Sequence, residues 1–264
     1  MYNFTYHRPK SLAEAAALLA QSEDAKLMAG GQTYLPTLKQ RLAQPSDIID
    51  LGAVAELKGI KEEAGGITIG AMTRHADVAH SEVVRRVIPA LAALAEDIGD
   101  PQVRHRGTIG GSISNNDPAA DYPAAVVALN ATVRTNKREI PADQFFTGMF
   151  ETALERDEIV TAVHFPKPEK AAYVKFPNPA SRYAVVGVFV ARTGGAVRVA
   201  VTGAAPCVFR WTEAEQALGS SFTPSALDNA GIDADNLNND IHASAEYRAH
   251  LVKVMAKRAV EAAA

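Results

Sequence analysis

The first fifty residues alternate short apolar runs with two amphipathic stretches. Ser11 and Glu14 form a capping box at the start of an alanine-rich helix over residues 12–21. Three leucines at helical spacing predict a second helix over residues 34–42, which Thr33 can cap. Short apolar runs bounded by turn residues predict strands at residues 3–7, 26–29 and 47–51. This order begins with a β-α-β unit.

The rest of the chain predicts two more groups of strands, separated by a proline-rich linker at residues 166–168. Strands before the linker are predicted at 57–62, 67–71, 131–135, 139–141 and 158–165. Strands after it, suited to an antiparallel sheet, are predicted at 173–176, 183–192, 196–202 and 208–211. Helices are predicted at 73–87, 89–97, 212–218, 225–229 and 244–262, and Asp117-Pro118 predicts the start of a helix to about residue 130. We expect boundaries near residues 52 and 168.

Composition and charge narrow the classes of function. With 47% apolar and 22% charged residues the chain can bury a core, and a formal charge of −3 provides no basic excess for nucleic acid. Cys207 is the sole cysteine, so the chain cannot by itself hold an iron–sulfur cluster, and the histidine spacing predicts no metal site. The apolar runs are too short for a membrane span and the opening residues do not resemble a signal peptide, which makes a cytoplasmic location the default.

Two glycine-rich segments are the candidate ligand-binding residues of the chain. The first glycine segment, Ala29–Thr33, and the second glycine segment, Gly107–Ser112, each lie between an extended stretch and a helix or turn rich in capping residues. Glycines let the backbone approach a ligand, and free N–H groups there attract anions such as a pyrophosphate. Either segment alone could also be a tight turn without a ligand. Neither matches a P-loop or a GxGxxG motif.

The two segments together resemble a known family. AGGQTYLPTLKQRLAQPSDIIDL, from Ala29, and RGTIGGSISNNDPAADYPA, from Arg106, are similar to the two FAD-binding stretches of the medium subunit of molybdenum hydroxylases. That family includes carbon monoxide dehydrogenase, xanthine dehydrogenase and aldehyde oxidoreductases. The stretches GAMTRHADV and KFPNPASRYAVVGV add to the resemblance, which covers nearly the whole chain.

The resemblance implies a two-lobed vanillyl-alcohol-oxidase (PCMH)-type FAD-binding domain, followed by a smaller α+β domain with an antiparallel sheet and helices. The FAD-binding domain would span 1–168, with lobes 1–52 and 53–168, and the C-terminal domain 169–264. FAD would take electrons from the iron–sulfur clusters of a small [2Fe-2S] subunit and pass them to quinone, oxygen or NAD. Substrate would be oxidised on a large molybdopterin subunit, within a dimer of heterotrimers, and no catalytic residue is expected in this chain.

The resemblance also implies which residues contact FAD. The pyrophosphate would lie between the two glycine segments, and Asp121 would bind ribityl or ribose hydroxyls. The implied contacts are Ala29, Gly30, Gly31, Gln32, Thr33, Thr108, Gly110, Gly111, Ser112, Asn115, Asp121, Lys175 and Tyr183. An ordinary first-turn acid is the alternative for Asp121, a solvated lysine for Lys175 and a half-buried strand tyrosine for Tyr183.

Two other functions stay open at this point. A self-sufficient flavin-dependent reductase could share the fold, and a non-catalytic nucleotide-binding module could share the glycine segments. Flavin absorbance of the pure protein separates the third hypothesis from the first two, and co-purifying subunits separate the first from the second.

Overall fold

The computed structural model describes residues 1–263, and within them the strands form four sheets. The strands are β1 (Thr5–His7), β2 (Lys26–Met28), β3 (Asp47–Asp50), β4 (Ile60–Glu63), β5 (Gly66–Gly70), β6 (Thr132–Thr135), β7 (Glu139–Pro141), β8 (Phe146–Gly148), β9 (Glu151–Thr152), β10 (Val160–Pro166), β11 (Lys170–Pro177), β12 (Ala184–Thr193), β13 (Ala196–Thr202) and β14 (Phe209–Arg210).

Helices connect these sheets and cover them. They are α1 (Leu12–Gln21), α2 (Tyr34–Lys39), α3 (His75–His80), α4 (Glu82–Val87), α5 (Pro89–Glu96), α6 (Pro101–Arg104), α7 (Ile109–Asn115), α8 (Tyr122–Ala128), α9 (Ala142–Phe145), α10 (Thr212–Ser220) and α11 (Ala245–Ala263). Short 3-10 turns lie at Leu51–Ala53, Ala55–Leu57 and Pro224–Leu227.

The first sheet is parallel, in the order β1-β3-β2. The predicted capping box begins α1, because Ser11 Oγ accepts a 3.2 Å hydrogen bond from the Glu14 amide. Ala15 and Leu19 of α1 are buried in one core cluster with Ile49 of β3. The first two strands therefore belong to one parallel sheet but do not pair, since β3 lies between them. The first glycine segment follows directly after the end of β2.

The second sheet is antiparallel, in the order β4-β5-β10-β6-β7. Ile67 and Ile69 of β5 lie opposite Phe165 and Val163 of β10, and all four side chains are buried. Helices α5 and α8 contribute to the same core cluster. The second glycine segment begins α7 beside this sheet, and it packs directly against the first segment, since Gly30 lies close to the backbone of Arg106 and Gly107.

The third sheet follows the predicted linker, in the antiparallel order β11-β12-β13-β14. Along β12, Val186, Val188 and Val190 pack in a core cluster with α11, while Phe189 and Ala191 join the cluster that contains α8. Alternate residues of a strand point to opposite faces, so β12 is buried on both. This accounts for its continuous apolar run.

Three predicted helices differ in the structure. The helix predicted at 73–87 is interrupted at Ser81, whose Oγ accepts from the Val84 amide and caps α4. The helix predicted from Asp117 begins only at Tyr122, because Asp117 Oδ1 accepts from the Ala119 amide and closes a turn first. Helix α2 ends at Lys39, and Leu42, expected on its apolar face, is 73% exposed.

Candidate functional site

A cavity of about 800 Å³ brings the two glycine segments together. Its volume lies within the roughly 300–1,000 Å³ range of small-molecule and cofactor sites. All but one of the predicted contact residues line it, namely Ala29, Gly30, Gly31, Gln32, Thr33, Thr108, Gly110, Gly111, Ser112, Asn115, Asp121 and Tyr183. Lys175 is not among its lining residues.

The first glycine segment presents a run of backbone donors. The amides from Gly30 to Tyr34 donate to no backbone or side-chain acceptor within residues 1–263. Gly31 has a positive φ of 75°, which turns the chain sharply before α2. Consecutive amides in such a turn form an anion-binding concavity. The predicted Thr33 cap is wrong, because Thr33 already has helical φ and ψ and its side chain makes no capping bond.

The second glycine segment uses its backbone donors inside the protein. Ile109 donates to the Thr73 carbonyl at 3.1 Å, and Gly110 donates to the Ala71 carbonyl at 2.8 Å. The Gly111 amide donates to Thr108 Oγ1, which caps α7. The prediction of free amides is therefore wrong for this segment. Its contribution to the cavity comes from the side chains of Thr108, Ser112 and Asn115 together with the glycine surface.

Close packing explains why glycine is needed at two positions, one in each segment. A Cβ at Gly30 would overlap the Arg106 carbonyl oxygen, and a Cβ at Gly110 would lie 2.5 Å from Ala71 Cβ. Neither neighbour is the end of a flexible side chain. Glycine at both positions thus lets the cavity walls approach one another, a reason separate from room for a ligand.

Asp121 and Lys175 form a buried pair at the cavity wall. Lys175 Nζ lies 3.1 Å from Asp121 Oδ1, and its side chain is only 1% exposed, so the solvated-lysine alternative is wrong. Lys175 also donates to the Asp97 carbonyl at 2.7 Å. Asp121 stands at the N-cap position of α8, as the first-turn alternative requires, but its carboxylate makes no capping bond to the helix. The structure places Lys175 behind Asp121, away from the cavity surface.

The surroundings of Asp121 affect its ionisation in opposite directions. Burial raises the pKa of the Asp121 carboxyl, while Lys175 and the Tyr173 hydroxyl, which donates to Oδ1 at 2.6 Å, act to lower it. Burial and the Asp121 charge raise the pKa of Tyr173 well above its usual value. Tyr173 is therefore a neutral hydrogen-bond donor.

Two exposed aromatic side chains lie at the cavity. Tyr183 is 51% exposed and immediately precedes β12. Phe150 is 57% exposed and has a positive φ of 56°, rare for an aromatic residue. The Phe150 amide donates to the Asn116 carbonyl, and Asn116 Nδ2 donates to the carbonyls of Gly148 and Glu151. Asn116 thus holds the hairpin that presents Phe150, a cavity residue for which the sequence pattern gave no signal.

His75 is a second lining residue that the sequence analysis missed. It is 5% exposed, and a Cβ at Gly107 would lie 2.5 Å from its Nε2. Burial, together with the charge of Arg104, lowers the pKa of His75 to about 4. Its ring packs at 5.4 Å from that of Tyr122. A neutral, buried imidazole therefore packs against Gly107 of the second glycine segment. The two residues are far apart in the sequence, so the sequence pattern does not show this contact.

Two other features are absent from the part of the chain that the structure describes. Within residues 1–263, no group of three or more His, Cys, Asp or Glu side chains could hold a metal ion. Over the same residues, no helix combines the length and the apolar character needed to cross a bilayer.

Family models match the whole of this architecture. The model described as "FAD binding domain in molybdopterin dehydrogenase" matches residues 2–168, and "CO dehydrogenase flavoprotein C-terminal domain" matches residues 171–263. The chain belongs to the FAD-binding medium subunits of the molybdenum hydroxylases. As an oxidoreductase subunit of this family it has FAD as its cofactor, and the predicted fold class is confirmed.

Individual relatives agree along their full length. The carbon monoxide dehydrogenase medium chain of Hydrogenophaga pseudoflava is 39% identical, covering 98% of this chain and 96% of the relative. The nicotine 6-hydroxylase medium subunit of Paenarthrobacter nicotinovorans is 38% identical, covering 97% and 95%. A solved structure of the Hydrogenophaga pseudoflava carbon monoxide dehydrogenase superposes with a TM-score of 0.91 at 40% identity, covering 99% of this chain and 97% of that one.

Proposed function

We propose that this medium subunit binds FAD in the cavity between the glycine segments and transfers electrons through it. The observation that carries the proposal is the run of unpaired amides from Gly30 to Tyr34 in the cavity wall. Such donors suit the two negative charges of a pyrophosphate without requiring lysine or arginine. When bound, FAD supplies the group that accepts electrons and passes them on.

The other lining residues would orient the cofactor. We assign the hydroxyls of Thr33, Thr108 and Ser112 to the phosphates, and Asn115 and Asp121 to polar groups elsewhere on the dinucleotide. Tyr183 would cover the flavin ring, since a flat aromatic side chain packs well on another ring. Lys175 would act through Asp121, whose negative charge it balances in a buried environment.

The electron route requires partner subunits. Electrons would arrive from a small [2Fe-2S] subunit after substrate oxidation on a large molybdopterin subunit, and FAD would deliver them to an external acceptor. The relatives' designation as medium chains and medium subunits supports a place in such an assembly. We further propose that the assembly is a dimer of heterotrimers and that it lies in the cytoplasm. Within this chain, the proposed boundaries lie near residues 52 and 168.

Hydrogen–deuterium exchange with and without FAD tests the proposed cofactor position. We expect peptides covering residues 29–34 to exchange fast in the FAD-free chain and to become protected when FAD is added. Peptides covering residues 109–112 are an internal control, since the amides of these four residues are already bonded within the protein. Stoichiometric flavin absorbance without protection at residues 29–34 would contradict this placement of the pyrophosphate.

Co-purification tests the proposed partners. The tagged chain, expressed together with the proteins of its own cell, should bring down a small subunit with an iron–sulfur signal and a large subunit containing molybdenum. The chain alone should show no turnover of aldehydes or heterocycles. Substrate turnover by the isolated, FAD-loaded chain would instead support the self-sufficient reductase.

A further inference from the structure

Asp121 belongs to the proposed FAD site, but the groups that orient it come from the other side of the predicted domain boundary. Tyr173 and Lys175 lie on β11, and both approach the same carboxylate oxygen, Oδ1. Oδ2 accepts no hydrogen bond within residues 1–263 and keeps surface accessible to solvent. Asp121 lines the cavity and its Oδ1 is occupied by the two donors from β11, which leaves Oδ2 as the oxygen without a protein partner.

A glycine on the neighbouring strand makes room for this contact. Tyr173 lies on β11 close to Gly187 of β12, and a Cβ at Gly187 would overlap the Tyr173 hydroxyl. Gly187 has no positive φ, so backbone conformation does not call for glycine there. The space above Gly187 is occupied by the hydroxyl that bonds to Asp121.

We propose that Tyr173 and Gly187 are positioning residues that fix the Asp121 carboxylate with Oδ2 toward the cavity, where it accepts a hydrogen bond from an O–H or N–H group of the bound dinucleotide. The two donors on Oδ1 restrict rotation of the carboxylate, because a turn of the side chain would break both contacts. The C-terminal domain thus takes part in cofactor binding without supplying the contact itself. This inference rests on the proposed function.

The charged and titratable groups around Asp121 determine how the contact responds to pH. Lys175 and Tyr173 face it from β11, Asp97 from the end of α5, Tyr122 from α8, and the cavity side contributes Asp117 and Tyr183. The Tyr173 hydrogen bond favours the ionised carboxylate, so losing it raises the pKa of Asp121 further. The pH below which FAD binding weakens would then move upward.

The test measures the FAD dissociation constant of Tyr173→Phe between pH 5 and 9. We expect a rise of roughly tenfold at neutral pH, typical of a hydrogen bond to a charged group, and a shift of the pH profile to higher pH. Tyr247→Phe is the matched control, because the Tyr247 hydroxyl makes no hydrogen bond within residues 1–263 and lies far along the chain on α11. It should bind FAD like the original chain.

Gly187→Ala provides a second, steric route to the same loss. Its methyl group should displace the Tyr173 hydroxyl, and the double variant with Tyr173→Phe should bind FAD no more weakly than Tyr173→Phe alone. The new methyl group would also lie 2.9 Å from both Thr202 Cγ2 and Tyr173 Cζ, and the latter remains in the double variant. Thermal unfolding of all three variants is therefore measured in parallel. Additive losses in the double variant would contradict a shared action on Asp121.

Smaller ligands identify which half of FAD Asp121 meets. A parallel loss of FMN affinity in Tyr173→Phe places the contact on the flavin half, and a loss of ADP affinity places it on the adenosine half; either supports the proposal. If Tyr173→Phe leaves the FAD dissociation constant and its pH profile unchanged, the proposal is overturned. Weaker FAD binding with an unshifted pH profile would also overturn it, because that result indicates a purely structural role for Tyr173. Failure of the original chain to bind FAD would instead overturn the proposed function.

Discussion

The two glycine segments look alike in sequence and serve different purposes in the structure. In the first segment the amides from Gly30 to Tyr34 have no protein acceptors. In the second, the amides of Ile109, Gly110 and Gly111 donate hydrogen bonds to neighbouring protein groups. One segment is therefore a set of donors for an anion, and the other is a packed helix start that offers side chains to the cavity. A glycine-rich motif next to a cofactor is not by itself evidence of free backbone donors.

The difference arises from what surrounds each segment. The first follows the end of a parallel strand and turns through a positive φ at Gly31, and its amides meet no protein acceptor. The second enters a helix beside the end of β5, where the carbonyls of Ala71 and Thr73 accept its amides. A continuous run of amides without protein acceptors is therefore found in the first segment and not in the second.

The largest expected effect is loss of stability where glycine serves close packing. Gly30→Ala and Gly110→Ala should each lower the unfolding free energy of the FAD-free chain by about 3 kcal/mol, because an added methyl group meets backbone or a fixed side chain. Gly111→Ala is the milder control, since its Cβ would lie 3.0 Å from Thr108 Oγ1 and 3.2 Å from Ala29 Cβ. Urea denaturation without FAD measures all three. Unchanged stability of Gly110→Ala would remove the packing explanation.

The next effect is a pH dependence carried by His75, beside the second segment. Its pKa is lowered from 6.5 in the unfolded chain to about 4 in the fold, so the unfolded state binds the proton first. Stability from this group is present above pH 6.5 and is lost as the pH falls toward 4, by roughly 3 kcal/mol. Denaturation of His75→Gln should show a shallower decline over that window.

The control for this measurement is His105→Gln, because His105 is exposed and its side chain makes no hydrogen bond or ion pair within residues 1–263. It should leave the pH dependence close to that of the original chain. An identical decline in His75→Gln and the original chain would show that protonation of other groups is responsible, and would remove His75 from the support of the second segment.

A smaller effect tests the donors of the first segment directly. Gly31→Ala places a side chain at a φ of 75°, which costs about 1–2 kcal/mol and tilts the neighbouring amides, so the FAD dissociation constant should rise about tenfold. Gly65→Ala is the matched control, with a φ of 84° and nothing within 4 Å of the new Cβ. It should lose similar stability and keep FAD affinity. Equal FAD affinity in both variants would contradict the role assigned to the amides of the first segment.

The smallest expected effect concerns a side chain of the second segment. Ser112→Ala removes a hydroxyl while its amide keeps the 3.0 Å bond to the Thr108 carbonyl, so FAD affinity should fall about fivefold with little change in stability. Isothermal titration of FAD and thermal unfolding separate the two quantities. If stability fell and affinity did not, the hydroxyl would have a structural role.

Much of the fold follows from local patterns. The third sheet and α11 are close to their predicted bounds, because β12 has a long apolar run and Ser244 Oγ accepts from the Tyr247 amide at the start of α11. The pattern does not predict the interruption at Ser81 or the late start of α8, since each depends on one hydrogen bond between a side chain and a nearby amide. Ser81 accepts from Val84 and begins a new helix, whereas Asp117 accepts from Ala119 and closes a turn.

By itself the sequence determined the α+β class, the two glycine segments and their resemblance to an FAD-binding family, because periodicity, caps and motifs are local and need no partner in space. Tertiary structure alone decided which amides are left unpaired, since an amide is free only if no distant acceptor reaches it. It also decided that Lys175 lies behind Asp121, that Tyr173 holds the carboxylate above Gly187, and that His75 is buried against Gly107. These contacts join residues far apart in the chain, and their geometry is fixed only when the sheets pack.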